Sequence, residues 1–600
     1  MSYIVPLKDM LFTLEHVAGL PAVAALPGLN DAGMDTARAV LEECARFNES
    51  VVAPLNWGGD QQPARLSDGK VSTSPGFADA FQQYVQGGWQ GLQHPVEFGG
   101  QGLPKLIGTP CVEMLNAANM SFALCPLLTD GAIEALLTAG SAEQQQRYIA
   151  PMIEGRWTGT MNLTEPQAGS DLSLVRTRAV PQPDGSYRIF GQKIYITYGE
   201  HDMAENIVHL VLARTPDAPE GVKGISLFIV PKFLVNADGS TGQRNDVWCA
   251  SIEHKLGIKA SPTAVLIYGD DKGEVGAGAI GYRIGELNRG LEYMFVMMNA
   301  ARYAVGMQGV AIADRAYQKA VSYARERVQS RDVAGSSGPV SIIRHPDVRR
   351  MLMTMRALTE AARALAYVGA AAHDAGVHAP DETTRRQNMA VYEYLVPIVK
   401  GWSTEMSLEV TSLGVQVHGG MGFIEETGAA QYYRDARILT IYEGTTAIQA
   451  NDLVGRKTAR DGGAVARGLI EAMRVTEREL EGRDGDLGAI RNALAAASHD
   501  FEAVVGFICN AFKADTRAVF AGSVPYLKMA GIVLSGWQLA RAAQAAEGLL
   551  AAGGGDTAFL KAKIGTARFF ADHVLTQSGG LRIAITEGAA GVLALDDAQF

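Results

Sequence analysis

No two cysteines in this 600-residue chain fall at C-x-x-C spacing, and the odd total of five (Cys44, Cys111, Cys125, Cys249, Cys509) is scattered. A reduced, cytoplasmic chain fits this better than a disulfide framework. Positive charge is also in short supply: 53 Lys and Arg stand against 64 Asp and Glu, a net charge of -11. There is no general electrostatic case for binding nucleic acid or an anionic membrane. Uninterrupted apolar runs of about 18 residues, the length a membrane span needs, are missing. The opening residues carry no basic region followed by an apolar run, so no signal peptide is expected. H-E-x-x-H, P-loop and G-x-S-x-G patterns are absent, and the eleven histidines do not cluster at ligand spacing. A metal site, a metallohydrolase and a serine hydrolase therefore have no support.

What is present is an ordinary globular composition, 47% hydrophobic and 20% charged, in a chain too long for one core. Two to four domains are expected, and the texture marks four. Residues 1–157 read as mainly helical, with the run from Asp35 to Phe47 placing apolar residues on one helical face. Residues 87–104 are too rich in Gly and Pro for helix and read as an ordered loop. Between 158 and 285 come short β-branched segments: Tyr187–Phe190, Lys193–Thr197, Ile207–Ala213 and Ile225–Val230. Their spacing predicts a small barrel or sandwich. Helical periodicity returns over 286–459, and Arg460–Gly463 is a candidate linker to a further helical block over 460–600. There Ile490, Leu494, Phe501, Val504, Val505, Ile508 and Phe512 form one stripe, and Gly553–Asp556 marks a turn. The fold class expected is mainly α with a central β domain.

Gly276-Ala-Gly-Ala-Ile-Gly281 is a literal G-x-G-x-x-G, but no clear helix follows it, so it reads as a glycine-rich hairpin or loop. Two other segments are more informative. The first is Met161-Asn-Leu-Thr-Glu-Pro-Gln-Ala-Gly-Ser-Asp-Leu172, followed by Gly191-Gln-Lys-Ile-Tyr-Ile-Thr197. Thr164, Ser170 and the backbone around Gly169 offer uncharged donors suited to a flat heterocycle; a capped Asx/Pro turn explains them equally well. The second is Gly414-Val-Gln-Val-His-Gly-Gly-Met-Gly-Phe423, then Arg434-Asp-Ala-Arg-Ile-Leu-Thr-Ile-Tyr-Glu-Gly-Thr445. Gly419 and Gly420 allow close approach of a backbone or a phosphate. Glu443, between apolar residues and Gly444, reads either as a solvated loop carboxylate or as a base whose pKa desolvation raises.

Together T-E-P-x-A-G-S-D, G-x-K-x-x-I-T, G-G-x-G-F, R-D-A-R-I and I-Y-E-G-T, in this order over about residues 35–455, resemble the acyl-CoA dehydrogenase family. The resemblance implies a helical domain, a β domain and a second helical domain, with FAD bound between subunits of a homo-oligomer, a dimer being favoured. By position, Met161, Leu163, Thr164, Tyr195 and Thr197 would line the flavin, and Ser170 would lie near the CoA arm. Arg327 would reach a neighbouring subunit's FAD beside Gln416, Gly419 and Gly420. Thr445 would meet the cofactor, while Asn299, Arg302 and Gly444 would face substrate. Asn299 stands where many members have Asp, and Ala447 replaces a cofactor-holding Gln.

The chemistry implied is removal of an acyl-CoA α-proton by Glu443 with hydride transfer to flavin N5, giving a trans-2-enoyl-CoA. Fatty acyl and methylthiopropanoyl groups both remain open as substrates. An electron-transfer flavoprotein is the implied acceptor, and fatty-acid β-oxidation the implied context. An acyl-CoA oxidase is one alternative. A DNA-associated relative is the other, and it predicts a basic extension. Residues 456–600 instead carry 16 Lys and Arg against 16 Asp and Glu.

Overall fold

The computed structural model describes residues 3–600. Up to Ile153 the chain is helical apart from one hairpin. Helix Met34–Phe47 buries Ala37, Leu41, Cys44 and Ala45, the face its spacing predicts. Helices Phe77–Gln86, Lys105–Ala118, Met120–Ala139 and Ala142–Ile153 complete this unit. The Gly/Pro segment 87–104 holds only two short 3-10 turns, Trp89–Gly91 and Val96–Phe98. Among the described residues, only Met120–Ala139 is long and apolar enough to cross a membrane; 83% of its apolar window is buried inside the protein. It packs on strand Trp157–Asn162 and helix Gly290–Glu326.

The β region is an eight-stranded sheet whose path runs Val247–Ile252, Thr263–Tyr268, Tyr187–Thr197, Ala279–Ile284, Ser226–Pro231, Asn206–Ala213 and Trp157–Asn162. Strand Arg178–Pro181 pairs with Tyr187–Thr197 off this path. The two stretches around Gly191, expected as separate strands, are one eleven-residue strand. Gly191 bridges them at φ +152°, and a methyl there would lie 2.5 Å from the Thr177 hydroxyl. Along Asn206–Ala213, Val208, Leu210 and Leu212 pack toward the helices, while Val211 and Ala213 fill the core on the other face. A strand covered on both faces reads as an unbroken apolar run, which is what the sequence shows. The segment 276–281 enters strand Ala279–Ile284 from a glycine turn, with no helix after it.

Three long helices, Gly290–Glu326, Pro346–His378 and Glu382–His418, pack side by side. Residues 460–463 form a turn into the final helices, chiefly Ala464–Glu479, Gly485–Ala511, Ser523–Ala551 and Thr557–His573. These lean on Pro346–His378 and Glu382–His418.

A buried ion network ties the ends of the chain together. The guanidinium of Arg363 donates to Glu113 at 2.8 and 2.6 Å, to Asp9 at 2.8 Å and to Asp314 at 3.3 Å. Lys563, from the final helices, donates to Asp9 at 2.6 Å and to Glu360 at 2.8 Å. Burial among these carboxylates raises Asp314 to about 6.

Candidate active site

Glu443 lies in a tight turn between the 3-10 turn Arg437–Thr440 and helix Thr446–Asp452. Its φ of +53° is left-handed, and Gly444 follows at +89°. Such backbone is unfavourable for a non-glycine residue and persists only where its surroundings hold it. Several contacts do so. Gln449 Nε2 donates to the Glu443 carbonyl at 3.2 Å, and Lys400 Nζ donates to the carbonyls of Leu439 at 2.8 Å and Gly444 at 2.6 Å. Thr445 caps the following helix through Ile448 N–H at 3.3 Å. On the other side, the Tyr442 hydroxyl donates to Gln308 Oε1, and Gln308 Nε2 donates to Asn116 Oδ1 at 3.0 Å.

The Glu443 carboxylate itself makes no hydrogen bond or ion pair among the described residues. Burial raises its pKa to about 7, against the opposing pull of Arg302 and Lys400. A free carboxylate half-protonated near neutrality suits a general base. Its sequence neighbours are apolar, but in space two buried cations, Arg302 and Lys400, flank it. Arg302 is 4% exposed and its Nε has no partner. A methyl on Gly444 would stand 3.7 Å from the Arg302 guanidinium, so base, Gly444 and Arg302 converge.

Alongside helix Gly290–Glu326 lies a cavity of 680 Å³, walled by Asn299, Tyr303, Asn116, Leu127, Asp130 and Glu134 among others. Asn116 belongs both to this wall and to the chain of contacts ending at Tyr442. The cavity is not purely apolar. His94 bridges Asp130 at 2.9 Å and Glu134 at 3.5 Å, and against its own burial these two acids raise it to about 9. Gln90 Oε1, from a cavity-lining residue, is buried without a hydrogen-bond partner.

The remaining candidates form two groups. Met161, Leu163 and Thr164 follow one another at the end of strand Trp157–Asn162, and Tyr195 and Thr197 end the strand beside it in space. The Thr164 carbonyl accepts from Ile194 N–H at 2.9 Å, and Thr197 O accepts from the Thr160 hydroxyl at 2.7 Å. Tyr195 is 62% exposed at φ +60°, a large ring left uncovered on an otherwise packed sheet. Lys193 Nζ fixes the loop after Leu163, donating to the Leu163 carbonyl at 2.9 Å and to Glu165 at 2.8 Å. Burial would raise Glu165, but Lys193 and donors from Thr177 and Arg176 hold it at about 2. Ser170 is exposed beyond that loop.

In the second group, Arg327 ends helix Gly290–Glu326 and Gln416 sits near the end of Glu382–His418; both side chains are exposed. Tyr323 stacks on His418 at 4.4 Å, which draws these two helix ends together. Gly419, at φ +60°, and Gly420 have open space where a Cβ would stand, and Phe423 beside them is 85% exposed. An uncovered aromatic at the sheet, uncharged donors, an open glycine pair and an exposed arginine fit a flat heterocycle carrying a phosphate arm, as in FAD.

The sequence reading missed Lys400, Gln308 and Lys193. Lys400 did carry a signal, being the lone charge in Leu395-Val-Pro-Ile-Val-Lys-Gly-Trp402.

Comparison with known proteins agrees along the whole chain. Models described as the acyl-CoA dehydrogenase N-terminal, middle and C-terminal domains match residues 34–156, 160–270 and 288–457. An acetyl-CoA dehydrogenase C-terminal-like model matches residues 469–596. The 3-methylmercaptopropionyl-CoA dehydrogenase of Ruegeria pomeroyi is 54% identical, covering 99% of both chains. A broad-specificity linear acyl-CoA dehydrogenase of Mycobacterium tuberculosis is 35% identical, again over 99% of both. A Bacillus anthracis acyl-CoA dehydrogenase solved with FAD superposes with TM-score 0.74 at 21% identity, covering 96% of this chain and 91% of that one. Four family domains in order, on a fold shared with solved members and with a free carboxylate in the I-Y-E-G-T turn, place this chain in the acyl-CoA dehydrogenase family.

Proposed function

We propose that this protein oxidises a short, heteroatom-bearing acyl-CoA, 3-(methylthio)propanoyl-CoA in the first instance, to its trans-2-enoyl thioester, with Glu443 as base. The substrate reading rests on the 54% identity, over nearly the whole of both chains, to an enzyme named for that thioester. Bound FAD supplies the acceptor for the β-hydrogen as hydride. The protein's own part is to hold the thioester and take its α-proton. The unpaired Glu443 carboxylate, with a pKa of about 7, is suited to that transfer. The backbone N–H of Glu443 donates to no acceptor among the described residues, which leaves it available to a thioester oxygen on which charge develops.

Met161, Leu163, Thr164, Tyr195, Thr197 and Thr445 are the residues that would hold the flavin. Arg327, Gln416, Gly419 and Gly420 would meet the FAD of a second subunit in a homodimer. Asn299, Arg302, Gly444 and Ser170 would attend the substrate. Electrons would leave through an electron-transfer flavoprotein. Five cysteines, none of them paired, support a reducing compartment such as the cytoplasm.

The cavity wall supports the short-substrate reading. A long alkyl chain packed against Asp130 and Glu134 would strip them of water without offering hydrogen bonds. The test is a panel of acyl-CoAs scored by anaerobic flavin bleaching. The kcat/KM for 3-(methylthio)propanoyl-CoA and butyryl-CoA should exceed that for palmitoyl-CoA by about tenfold or more, the scale of a 1.4 kcal/mol difference. Equal or better use of palmitoyl-CoA would instead favour a broad linear specificity, for which the cavity has room.

The flavin side has its own test. Lys193→Met leaves Glu165 buried without its cation and frees the Leu163 carbonyl. It should weaken FAD retention by about tenfold, since breaking a buried pair costs several kcal/mol, part of it local to the loop. The 450-to-280 nm absorbance ratio after gel filtration measures it. Full flavin content in a normally folded variant would contradict the role given to this loop.

A further inference from the structure

Lys400 is fully buried within helix Glu382–His418, yet its side chain serves the turn that carries Glu443, not its own helix. Its two hydrogen bonds reach Leu439 O at 2.8 Å and Gly444 O at 2.6 Å, on either side of Glu443. A buried ammonium without a carboxylate partner is expensive, and here it is stabilised by two carbonyl dipoles and by the nearby charges of Glu443 and Glu405. No ion pair at 4.0 Å or less joins Lys400 to Glu443, so the charge acts on the base without neutralising it by contact.

We propose that Lys400 is a positioning residue, its ammonium clamping the left-handed Glu443–Gly444 turn and setting a fixed positive charge beside the base. The inference rests on Glu443 being the base. Two functions are combined in one side chain. The hydrogen bonds hold the backbone on either side of the carboxylate. The charge favours the carboxylate form, so that burial does not leave the base protonated at neutral pH.

The ionisation balance agrees with this. Burial pulls Lys400 down to about 8, with Glu443 and Glu405 opposing, so the ammonium is present at pH 7. Burial lifts Glu443 to about 7, with Arg302 and Lys400 opposing. Other charges also face this pair. Arg302 comes from helix Gly290–Glu326, with Asp452 and Arg456 beside it from the segment after the turn. Glu405 lies on Lys400's own helix, and Tyr442, whose phenol burial raises further, sits next to the base.

The experiment compares Lys400→Met, Lys400→Gln and Glu443→Gln with wild type, all as folded holoenzyme checked by flavin content and thermal melting. The pH dependence of kcat/KM reports the free enzyme's base. Removing the cation raises the pKa of Glu443, so the acid limb should move to higher pH by about one unit in both lysine variants. The plateau rate should fall further in Lys400→Met than in Lys400→Gln, because glutamine keeps a donor for one carbonyl. A limb unmoved in both variants, with only the plateau lowered, would overturn the electrostatic role. Failure of both to fold would overturn the assignment to this turn, since the contacts proposed are confined to it. If Glu443→Gln itself kept the wild-type rate, the base assignment would fall. If Glu443→Gln is inactive and the lysine variants keep the wild-type limb, only the Lys400 inference falls.

Discussion

Replacing Glu443 by glutamine is expected to cut turnover by roughly 10²–10⁴-fold while leaving the fold and the flavin content intact. The substitution is nearly isosteric, and the carboxylate makes no hydrogen bond or ion pair among the described residues, so no direct contact is lost with it. Stability should rise slightly if it changes at all. The folded pKa of Glu443, about 7, lies above its unfolded value, so the buried carboxylate opposes folding at pH 8. The two measurements are anaerobic flavin bleaching by an acyl-CoA and thermal melting at pH 8. A variant that bleaches at the wild-type rate would remove Glu443 from the reaction. A variant that is slow and also loses flavin would place the residue in cofactor binding instead.

The second large effect concerns stability. Arg363→Met should destabilise the protein by about 3–5 kcal/mol or more, because it leaves Glu113 and Asp314 in the interior without a cation and Asp9 with Lys563 alone. The pH dependence has a defined sign. Without the guanidinium, burial lifts the folded-state pKa of Asp314 still further above its unfolded value. The folded form then binds more protons, and stability falls as pH rises. The melting temperature of the variant should therefore lie furthest below wild type at pH 8 and approach it toward pH 5. Wild type already shows the tendency at one site, since Asp314 is raised to about 6. Its contribution is fully present below the usual carboxylate value and is lost as pH rises through about 6. A deficit independent of pH would mean that shape and not charge is what Arg363 contributes.

The parts legible in the sequence were those governed by local rules. Helix Met34–Phe47 and the stripe from Ile490 to Ile508 followed from spacing, because one face of each is buried. The hairpin at 65–72 was not among the expected elements, although its turn carries a local signal. Asp68 and Gly69 both take positive φ, and Asp-Gly is a strong two-residue turn signal. Gly191 hid one long strand as two, since a glycine inside a strand reads as a break and here permits close approach of Thr177. Glu443 was legible as a residue but not as an environment. Its motif lies in one short segment, whereas its cations come from residues 302 and 400, its backbone supports from 400 and 449, and the partner of the Tyr442 hydroxyl from 308. Long-range neighbours of this kind leave only one trace in the sequence, a single charge inside an apolar helical run. Lys400 in Pro-Ile-Val-Lys-Gly-Trp and Arg363 in Ala-Ala-Arg-Ala-Leu-Ala both show it.

The meeting of Asp9 with Lys563 has a consequence for biosynthesis. These residues are 554 positions apart and share a 2.6 Å ion pair inside the protein. The first helix therefore leaves the ribosome long before its partner exists, and Asp9 must wait in water while most of the chain is made. Helix Leu7–His16 can complete its contacts only as the closing step of assembly. A chain broken off before residue 563 would thus be incomplete at both ends, and a quality-control protease could recognise the defect at either.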